Sequence, residues 1–516
     1  MPIRALGAVV ILLLALACAG PSGPAPAPGD RSVVQTSAGA LRGVDAPGHR
    51  FFGGIAYAAP PVGPLRLRPP QPAPGWDGVR DAGRPGPRCL QAPGPDPEFG
   101  RHSDEDCLFL NVWAPAVIDG PKAVMVWFHG GSFVNGNGAM FDAGWLVERG
   151  DIVVVTLNYR LGALGFLAHP ALGAAGEVGN YGLADQQAAL GWVRDNIAAF
   201  GGDPDRVTVA GESAGAMSVC DHLVAPGSQG LFHGAIIMSG PCQAQAALAH
   251  AQRVSLDYAA AAGCADPQTA AGCLREAAVD RLREPVFYAR LGADELSGPV
   301  TGSAVLPVDP LTAAADGTTA PVPVLIGTTA DEFTLFTALR QLRTGESIDA
   351  QRYPQALAEV FGPDAAAVAQ RYPPARYDDP ALAYSAALTD AVFACVADRL
   401  ATDLGRNGPV YAYEFADRAA PVPEPLTTLP YRVGASHSLD VRYLFDVGGA
   451  PDLSAAQREL SHQMIDHWSG FVRTGSPGPD WPQRGLGQVM RLHPDGNQVV
   501  GDYARAHQCE FWAGLG

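Results

Sequence analysis

The sequence lacks a surplus of positive charge. Its 516 residues contain 35 Lys and Arg against 52 Asp and Glu, which gives a formal net charge of −17, and no stretch concentrates the basic residues. Binding to nucleic acid requires clustered Lys and Arg that neutralise phosphates. The composition therefore excludes a nucleic-acid partner, and it means that anionic molecules are repelled at long range.

Long apolar runs are also missing after the N-terminus. Arg4 precedes an apolar stretch at residues 5–17, which is too short to span a membrane and has the length of a signal-peptide core. Beyond it we find no segment apolar for long enough to cross a bilayer, and we expect a soluble mature protein. The pattern predicts a signal peptide at residues 1–18, a Pro-rich linker at 19–30 and one domain at 31–516.

The cleavage site has two interpretations. ALA at residues 15–17 or ACA at 17–19 is typical of a secreted protein, whereas LAC at 16–18 resembles a bacterial lipobox. In the second case Cys18 carries lipid, and the linker holds the protein off the extracellular face of a bacterial membrane. Both interpretations predict export.

Cysteine is scarce, and its number agrees with export. There are nine cysteines, and either processing route removes Cys18 from pairing, which leaves eight for disulfides in an oxidising compartment. Spacing suggests small loops closed by Cys264 with Cys273 and by Cys89 with Cys107. Cys220 is the best candidate for a buried thiol.

Continuous apolar runs predict strands that are buried on both faces of a largely parallel sheet. They lie at residues 123–128, 152–157, 234–238, 322–326 and 410–415. Residues 183–200 have helical apolar spacing, and GGDP at 201–204 ends that helix. Residues 243–320 and 334–406 are rich in Ala and Leu, so we expect helical insertions that cap the carboxyl ends of the strands.

The most informative segment is FGGDPDRVTVAGESAG at residues 200–215. A β-branched run enters GESAG, and this is the G-x-S-x-G pattern of a nucleophile elbow, where a strand turns sharply into a helix. Small flanking residues are needed because the backbone doubles back on itself. The pattern predicts that Ser213 is an exposed nucleophile at a strand tip.

A serine nucleophile needs a base, which an acid must orient, and both follow the serine along the chain in the elbow fold. VGASHS at residues 433–438 places His437 in a small-residue loop after a predicted strand. GTTADE at 327–332 follows another strand directly, and spacing alone does not choose between Asp331 and Glu332.

Backbone N–H groups must also stabilise the oxyanion that forms on the substrate. Ala214, which follows the serine, supplies one of them. HGGS at residues 129–132 follows a predicted strand where a second donor loop is expected. His129 is interpreted as a support for this loop and not as a proton-transfer group.

Together these residues resemble the type-B carboxylesterase/lipase family, which includes cholinesterases and bacterial para-nitrobenzyl esterases. The resemblance rests on residues 200–215 and on EDCLFLNVW at 105–113, and it extends over roughly residues 32–512. It implies an α/β-hydrolase fold, in which a large, mostly parallel sheet carries helical insertions over the active site. The expected activity is hydrolysis of small carboxylic esters, with no metal or cofactor.

Carried over by position, the resemblance implies Ser213 as nucleophile, Glu332 as acid and His437 as base. It assigns the oxyanion hole to the N–H groups of Gly131, Ser132 and Ala214, although the family usually has Gly or Ala where Ser132 stands. Since that contact is made by the backbone, we expect function to survive with a slightly tighter pocket.

The resemblance also implies three disulfides and leaves Cys220 and Cys242 unassigned. The implied pairs are Cys89–Cys107, Cys264–Cys273 and Cys395–Cys509.

The substrate is constrained by one departure from the family. Cholinesterases have a tryptophan between the first two disulfide cysteines that binds quaternary ammonium, and residues 90–106 contain none. We therefore do not expect a choline ester as the preferred substrate. Two alternatives stay open: a catalytically silent adhesion or binding protein on the same fold, and an amidase, lactonase or lipase with the same triad.

Overall fold

The computed structural model describes residues 32–92, 102–174, 176–292, 294–449, 451–484 and 487–515. The predicted signal peptide, the linker and Cys18 lie outside the described residues.

An eleven-stranded sheet forms the centre of the protein. In chain order its strands are β1 (Val44–Ala46), β2 (His49–Ala56), β3 (Phe109–Pro115), β4 (Lys122–Phe128), β5 (Val153–Leu157), β6 (Gly202–Glu212), β7 (Gly234–Met238), β8 (Val324–Thr329), β9 (Val410–Phe415), β10 (Val489–Leu492) and β11 (Gln498–Val500). Their order across the sheet is β11-β10-β9-β8-β7-β6-β4-β5-β3-β2-β1. Strands β4 to β10 pair in parallel, whereas β1, β2, β3 and β11 form antiparallel edges.

The five predicted apolar runs correspond to β4, β5, β7, β8 and β9, which confirms the mostly parallel α/β sheet. In β4 every residue is buried, and alternate side chains enter two different cores. Val124, Val126 and Phe128 pack on one face, whereas Met125 and Trp127 pack on the other. Burial on both faces explains why these strands read as continuous apolar runs. The predicted end of β8 at residue 326 was wrong, because Thr328 and Thr329 continue the pairing with β9.

Helices cover both faces of the sheet and the carboxyl ends of its strands. They are α1 (Gly144–Gly150), α2 (Gly162–Phe166), α3 (Tyr181–Asn196), α4 (Ala214–His222), α5 (Leu248–Ala261), α6 (Ala270–Glu276), α7 (Pro310–Ala315), α8 (Thr334–Thr344), α9 (Tyr353–Phe361), α10 (Ala365–Arg371), α11 (Pro380–Leu388), α12 (Cys395–Leu404), α13 (Glu424–Thr427), α14 (Ala455–Thr474), α15 (Tyr503–Ala506) and α16 (Cys509–Ala513). The α3 and α4 side of the sheet holds one core, and α1 and α14 enclose the other. The first insertion contains α5 to α7 and the second contains α8 to α12, as expected.

The second insertion corrects the expectation that no later segment is long and apolar enough to cross a membrane. Helices α11 and α12 are joined by a π-helical segment, Thr389–Ala394, into one helix of 25 residues that meets that test by length and composition. Within the fold, 61% of its apolar window is buried. Its apolar character therefore reflects packing against the rest of the protein.

Four disulfides close loops in the described chain. The three pairs implied by the family resemblance are present. A fourth, Cys220–Cys242, joins α4 to the loop after β7, so the interpretation of Cys220 as a free buried thiol was wrong. Both of its cysteines are buried, and sequence spacing carried no sign that they meet. Four disulfides are typical of a protein from an oxidising compartment.

Candidate active site

Ser213 lies at the turn between β6 and α4, as the elbow pattern predicts. Its backbone has φ +57° and ψ −122°, a conformation that a non-glycine residue adopts only under strain. A Cβ on Gly215 would lie 2.0 Å from the carbonyl oxygen of Phe128, and a Cβ on Gly211 would lie 2.5 Å from the Gly215 carbonyl. Both glycines are therefore required for the turn to close.

The HGGS loop passes directly beside this turn. A Cβ on Gly130 would lie 2.9 Å from the Glu212 carbonyl oxygen, so the two backbones are in close contact. Gly131 and Ser132 have φ angles of +108° and +55°. Among the described residues, neither of their N–H groups donates a hydrogen bond. Ala214 is the first residue of α4, where the N–H has no partner within the helix.

His129 is held in place by Tyr159 and supports this loop. Its ring stacks on Tyr159 with centroids 4.4 Å apart, and the Tyr159 hydroxyl donates to the His129 carbonyl oxygen at 2.6 Å. Burial lowers the pKa of His129 to about 4, so the ring is neutral near pH 7. A neutral, stacked ring fits the predicted supporting role.

The loops after β8 and β9 bring Glu332 and His437 together. His437 Nδ1 donates to Glu332 Oε2 at 2.6 Å, because an ionised carboxylate can only accept. Glu332 Oε1 accepts from the backbone N–H of Thr329 at 2.7 Å. Both side chains are buried, with 0% of Glu332 and 3% of His437 exposed. The carboxylate is thus fixed at both oxygens and holds one tautomer of the imidazole.

Asp331, the other carboxylate that the spacing left open, has a different partner. Its carboxylate accepts two hydrogen bonds from Arg418, at 2.8 and 3.0 Å, and one from the Ala435 N–H at 3.0 Å. Asp331 therefore ties the Glu332 loop to the His437 loop without contacting the imidazole.

A second carboxylate, Glu212, lies on the other side of the imidazole. Its Oε1 is 3.1 Å from His437 Nε2 without hydrogen-bond geometry, and Nε2 has no hydrogen-bond partner among the described residues. Ser438 donates its hydroxyl to the same Glu212 oxygen at 2.5 Å. Burial would lower the pKa of His437, but the Glu212 and Glu332 carboxylates outweigh it and raise the pKa to about 9.

Sequence reasoning missed Glu212, Ser438 and three further neighbours. Asp440 is buried, and burial together with the Glu212 charge raises its pKa to about 7. Phe336 and Phe393 pack against the His437 ring, with centroids 4.9 and 5.1 Å away. The only available signal was position, since Glu212 precedes the serine within the elbow.

The assembled site has the parts of an acyl-transfer centre. A strained serine, donor N–H groups without partners, and an imidazole oriented by a carboxylate lie in loops that follow β4, β6, β8 and β9. Within the described part of the chain, no group of three His, Cys, Asp or Glu side chains could hold a metal ion.

Comparison with known proteins assigns the chain to a family. The family profile described as "Carboxylesterase family" matches residues 30–512. The chain belongs to the carboxylesterase family. It is 36% identical over 484 residues to para-nitrobenzyl esterase of Bacillus subtilis (strain 168), covering 87% of this chain and 92% of that protein. It is 33% identical to human cocaine esterase, covering 92% of this chain and 88% of that one.

Solved structures agree with this assignment. The structure titled PNB esterase superposes with a TM-score of 0.78 at 32% identity, covering 93% of this carboxylesterase chain and 99% of the other. A thermophilic PNB esterase gives the same TM-score at 31% identity. The fold is accordingly that of the α/β-hydrolases, and the activity class of this family member is carboxylic ester hydrolysis.

Proposed function

We propose that this carboxylesterase hydrolyses small carboxylic esters through an acyl-enzyme on Ser213, with His437 as base and Glu332 as orienting acid. The observation that carries the proposal is the 2.6 Å hydrogen bond between His437 and Glu332, which leaves His437 Nε2 without a partner beside the elbow. A base needs one nitrogen available to receive a proton while the other is held by its orienting group.

The reaction follows from these positions. His437 Nε2 accepts the Ser213 hydroxyl proton as Oγ attacks the ester carbonyl, and the N–H groups of Gly131, Ser132 and Ala214 stabilise the oxyanion. The imidazolium returns the proton to the departing alcohol. Water then attacks the acyl-enzyme, with His437 again accepting and returning a proton, and the carboxylic acid leaves.

Glu212 adds a charge to this scheme. It lies 3.1 Å from Nε2, so its carboxylate stabilises the imidazolium that forms in each step. The Ser438 hydroxyl donates to the same carboxylate oxygen and holds it in place.

The substrate class is a small neutral or cationic ester other than a choline ester. The net charge of −17 disfavours anionic substrates at low salt, and residues 90–106 contain no tryptophan for a quaternary ammonium group. Residues 93–101 of that segment lie outside the described residues.

Covalent labelling and kinetics test the proposal. We expect an organophosphate to label Ser213 and the enzyme to hydrolyse nitrophenyl esters, with Ser213→Ala abolishing both. Ser239→Ala is a matched control, because Ser239 also has a positive φ of +52° after a strand of the same sheet. Full activity of Ser213→Ala would refute the mechanism, and folded wild-type protein that is never labelled would indicate a binding protein instead.

A chain-length series separates the remaining alternatives. Initial rates on nitrophenyl acetate, butyrate and palmitate, together with a matched anilide, distinguish esterase, lipase and amidase activity. We expect the short esters to be preferred and the anilide to be nearly inert.

We also propose that the protein is exported, with residues 1–18 removed. The four disulfides support an oxidising compartment. The mass of the mature N-terminal peptide distinguishes signal-peptide cleavage without lipid from a lipidated Cys18. A full-length intracellular product would contradict export.

A further inference from the structure

A large cavity lies behind the loops that carry Glu332 and His437. Its volume is about 1080 Å³, and Ser213, Glu332 and His437 are all absent from its lining. One wall is formed by Asp331 and Thr334, next to Glu332, and another by Val433 and Gly434, shortly before His437. This volume is sufficient for a small organic ligand.

Three of the five carboxylates that line this cavity have a basic partner. Asp331 is paired with Arg418, and Asp390 with His507. Asp417 accepts from Tyr443, and Asp495 lies 3.6 Å from His493.

Three cations of the lining have no such partner. The guanidinium groups of Arg371, Arg376 and Arg432 make no ion pair or hydrogen bond with any described residue, and Arg371 lies over the ring of Phe511. Asp378 and Asp417 are the lining carboxylates without a basic partner in the described chain, since the Tyr443 hydroxyl that Asp417 binds carries no charge. The arginines without an ion-pair partner, which are exposed to solvent, therefore outnumber these carboxylates by one.

Aromatic surface accompanies these charges. Tyr372, Tyr377 and Tyr431 line the same cavity, and Tyr372 is held in place because its hydroxyl donates to Asp390 at 2.7 Å. Arginine binds carboxylates through paired N–H groups, and tyrosine rings pack against flat apolar groups. We propose that this cavity is a binding site for an aromatic carboxylate, separate from the catalytic centre.

Occupancy of this site would be transmitted to the catalytic loops. Arg418 lines the cavity and donates to Asp331, and Asp331 in turn accepts from the Ala435 N–H. A carboxylate that engages Arg418 competes with Asp331 and weakens this tie between the two loops. This consequence rests on the proposed function, because an esterase releases carboxylates and the site would respond to its products.

Direct binding tests the site without relying on activity. Calorimetric titration of the full chain with benzoate is expected to show binding that weakens with added salt, whereas benzamide, its neutral analogue, does not bind. The double substitution Arg376→Ala/Arg432→Ala is expected to weaken benzoate binding at least tenfold. Arg194→Ala/Arg290→Ala removes the same charge from exposed sites elsewhere and is expected to leave the affinity unchanged.

The results that would overturn the proposal are distinct from failure of the esterase mechanism. Equal benzoate affinity in wild type and Arg376→Ala/Arg432→Ala, or no binding at all, would eliminate the site. Loss of binding after an organophosphate has blocked Ser213 would place benzoate in the catalytic centre instead. If the site exists, benzoate lowers kcat for nitrophenyl esters in the wild type and fails to do so in the double variant.

Discussion

Two buried histidines of this protein each lie between two carboxylates. His437 contacts Glu332 at 2.6 Å and Glu212 at 3.1 Å, and His507 contacts Asp390 at 2.6 Å and Glu414 at 2.8 Å. Burial lowers the pKa of both rings, but the carboxylates outweigh it and raise the pKa to about 9 for His437 and to about 10 for His507. Charge alone therefore does not distinguish them.

The difference lies in the hydrogen bonds of the ring nitrogens. Both nitrogens of His507 are bonded to carboxylates, whereas Nε2 of His437 has no hydrogen-bond partner among the described residues. A proton-transfer group must have one nitrogen available to the reacting atom. A carboxylate-paired histidine is thus structural when both nitrogens are engaged, and it is suited to catalysis only when one is open beside a nucleophile.

The two networks are joined by the π-helical segment between α11 and α12. Phe393 of this segment packs on His437, and Asp390 of the same segment binds His507. Such segments often occur at functional sites, because they change the direction of side chains within a helix. Here it allows one helix to support both histidines.

Replacing each histidine by glutamine should give the largest difference in kcat between the two sites. His437→Gln should lower kcat by about 10⁴- to 10⁶-fold because it removes the base, and it also leaves the buried Glu332 and Glu212 carboxylates without a basic partner. His507→Gln should retain activity within about tenfold but lose on the order of 3 kcal/mol of unfolding free energy, because buried carboxylates are left unpaired. Nitrophenyl ester kinetics and urea unfolding measure both. An inactive, stable His507→Gln would remove the distinction.

The orienting acids give the second contrast. Glu332→Gln should lower kcat by about 10⁴-fold, because the amide no longer holds the imidazole in the correct tautomer. Asp390→Asn alters the equivalent contact at His507 and should affect thermal stability but not kcat. Similar rates for the two variants would show that Glu332 does not orient the base.

Each histidine has a second carboxylate, Glu212 for His437 and Glu414 for His507, and only Glu212 should affect the pH dependence of kcat/KM. His437 must be neutral to accept a proton, so kcat/KM of the wild type should rise with pH towards about 9. Glu212→Gln removes a charge that raises the His437 pKa, so the rise should move to lower pH, while the plateau falls about tenfold as the imidazolium loses stabilisation. Glu414→Gln is the control and should leave the profile in place. An unshifted profile in Glu212→Gln would exclude an electrostatic role for this residue.

The smallest effect concerns stability in alkali. The pKa of His507 is raised in the folded state, so its contribution to stability is fully present below the unfolded value of about 6.5 and is lost as pH rises through about 10. His507→Gln should therefore lose less stability than the wild type between pH 6.5 and 10 in urea unfolding. A larger loss in the variant would reverse the sign of this linkage.

Much of the site could be predicted because its determinants are local in sequence. The elbow is specified by two glycines, each of which is required by a backbone contact within 2.5 Å. The HGGS, GTTADE and VGASHS segments each follow an apolar strand, and parallel strands place their carboxyl ends at one edge of the sheet. Motif and strand together therefore predicted where Ser213, Glu332 and His437 lie.

The remaining features depend on residues far apart in the chain. The residues alone left Asp331 and Glu332 equivalent, and the structure separates them because Arg418 engages Asp331. Glu212 reaches Ser438 across 226 positions, and Cys220 meets Cys242 in a loop that no spacing rule identifies. Such contacts depend on the mutual packing of several elements, which local patterns do not encode.

The sequence by itself determined the fold class, the nucleophile elbow and the net negative charge, because apolar periodicity, glycine sterics and charged-residue content are properties of the chain. Only the tertiary structure decided which carboxylate contacts His437 Nδ1, which histidine has an open nitrogen, and where arginines gather around the cavity behind the Glu332 and His437 loops. The physical reason is that hydrogen bonds and charges act over a few ångströms in space, whatever the distance along the chain.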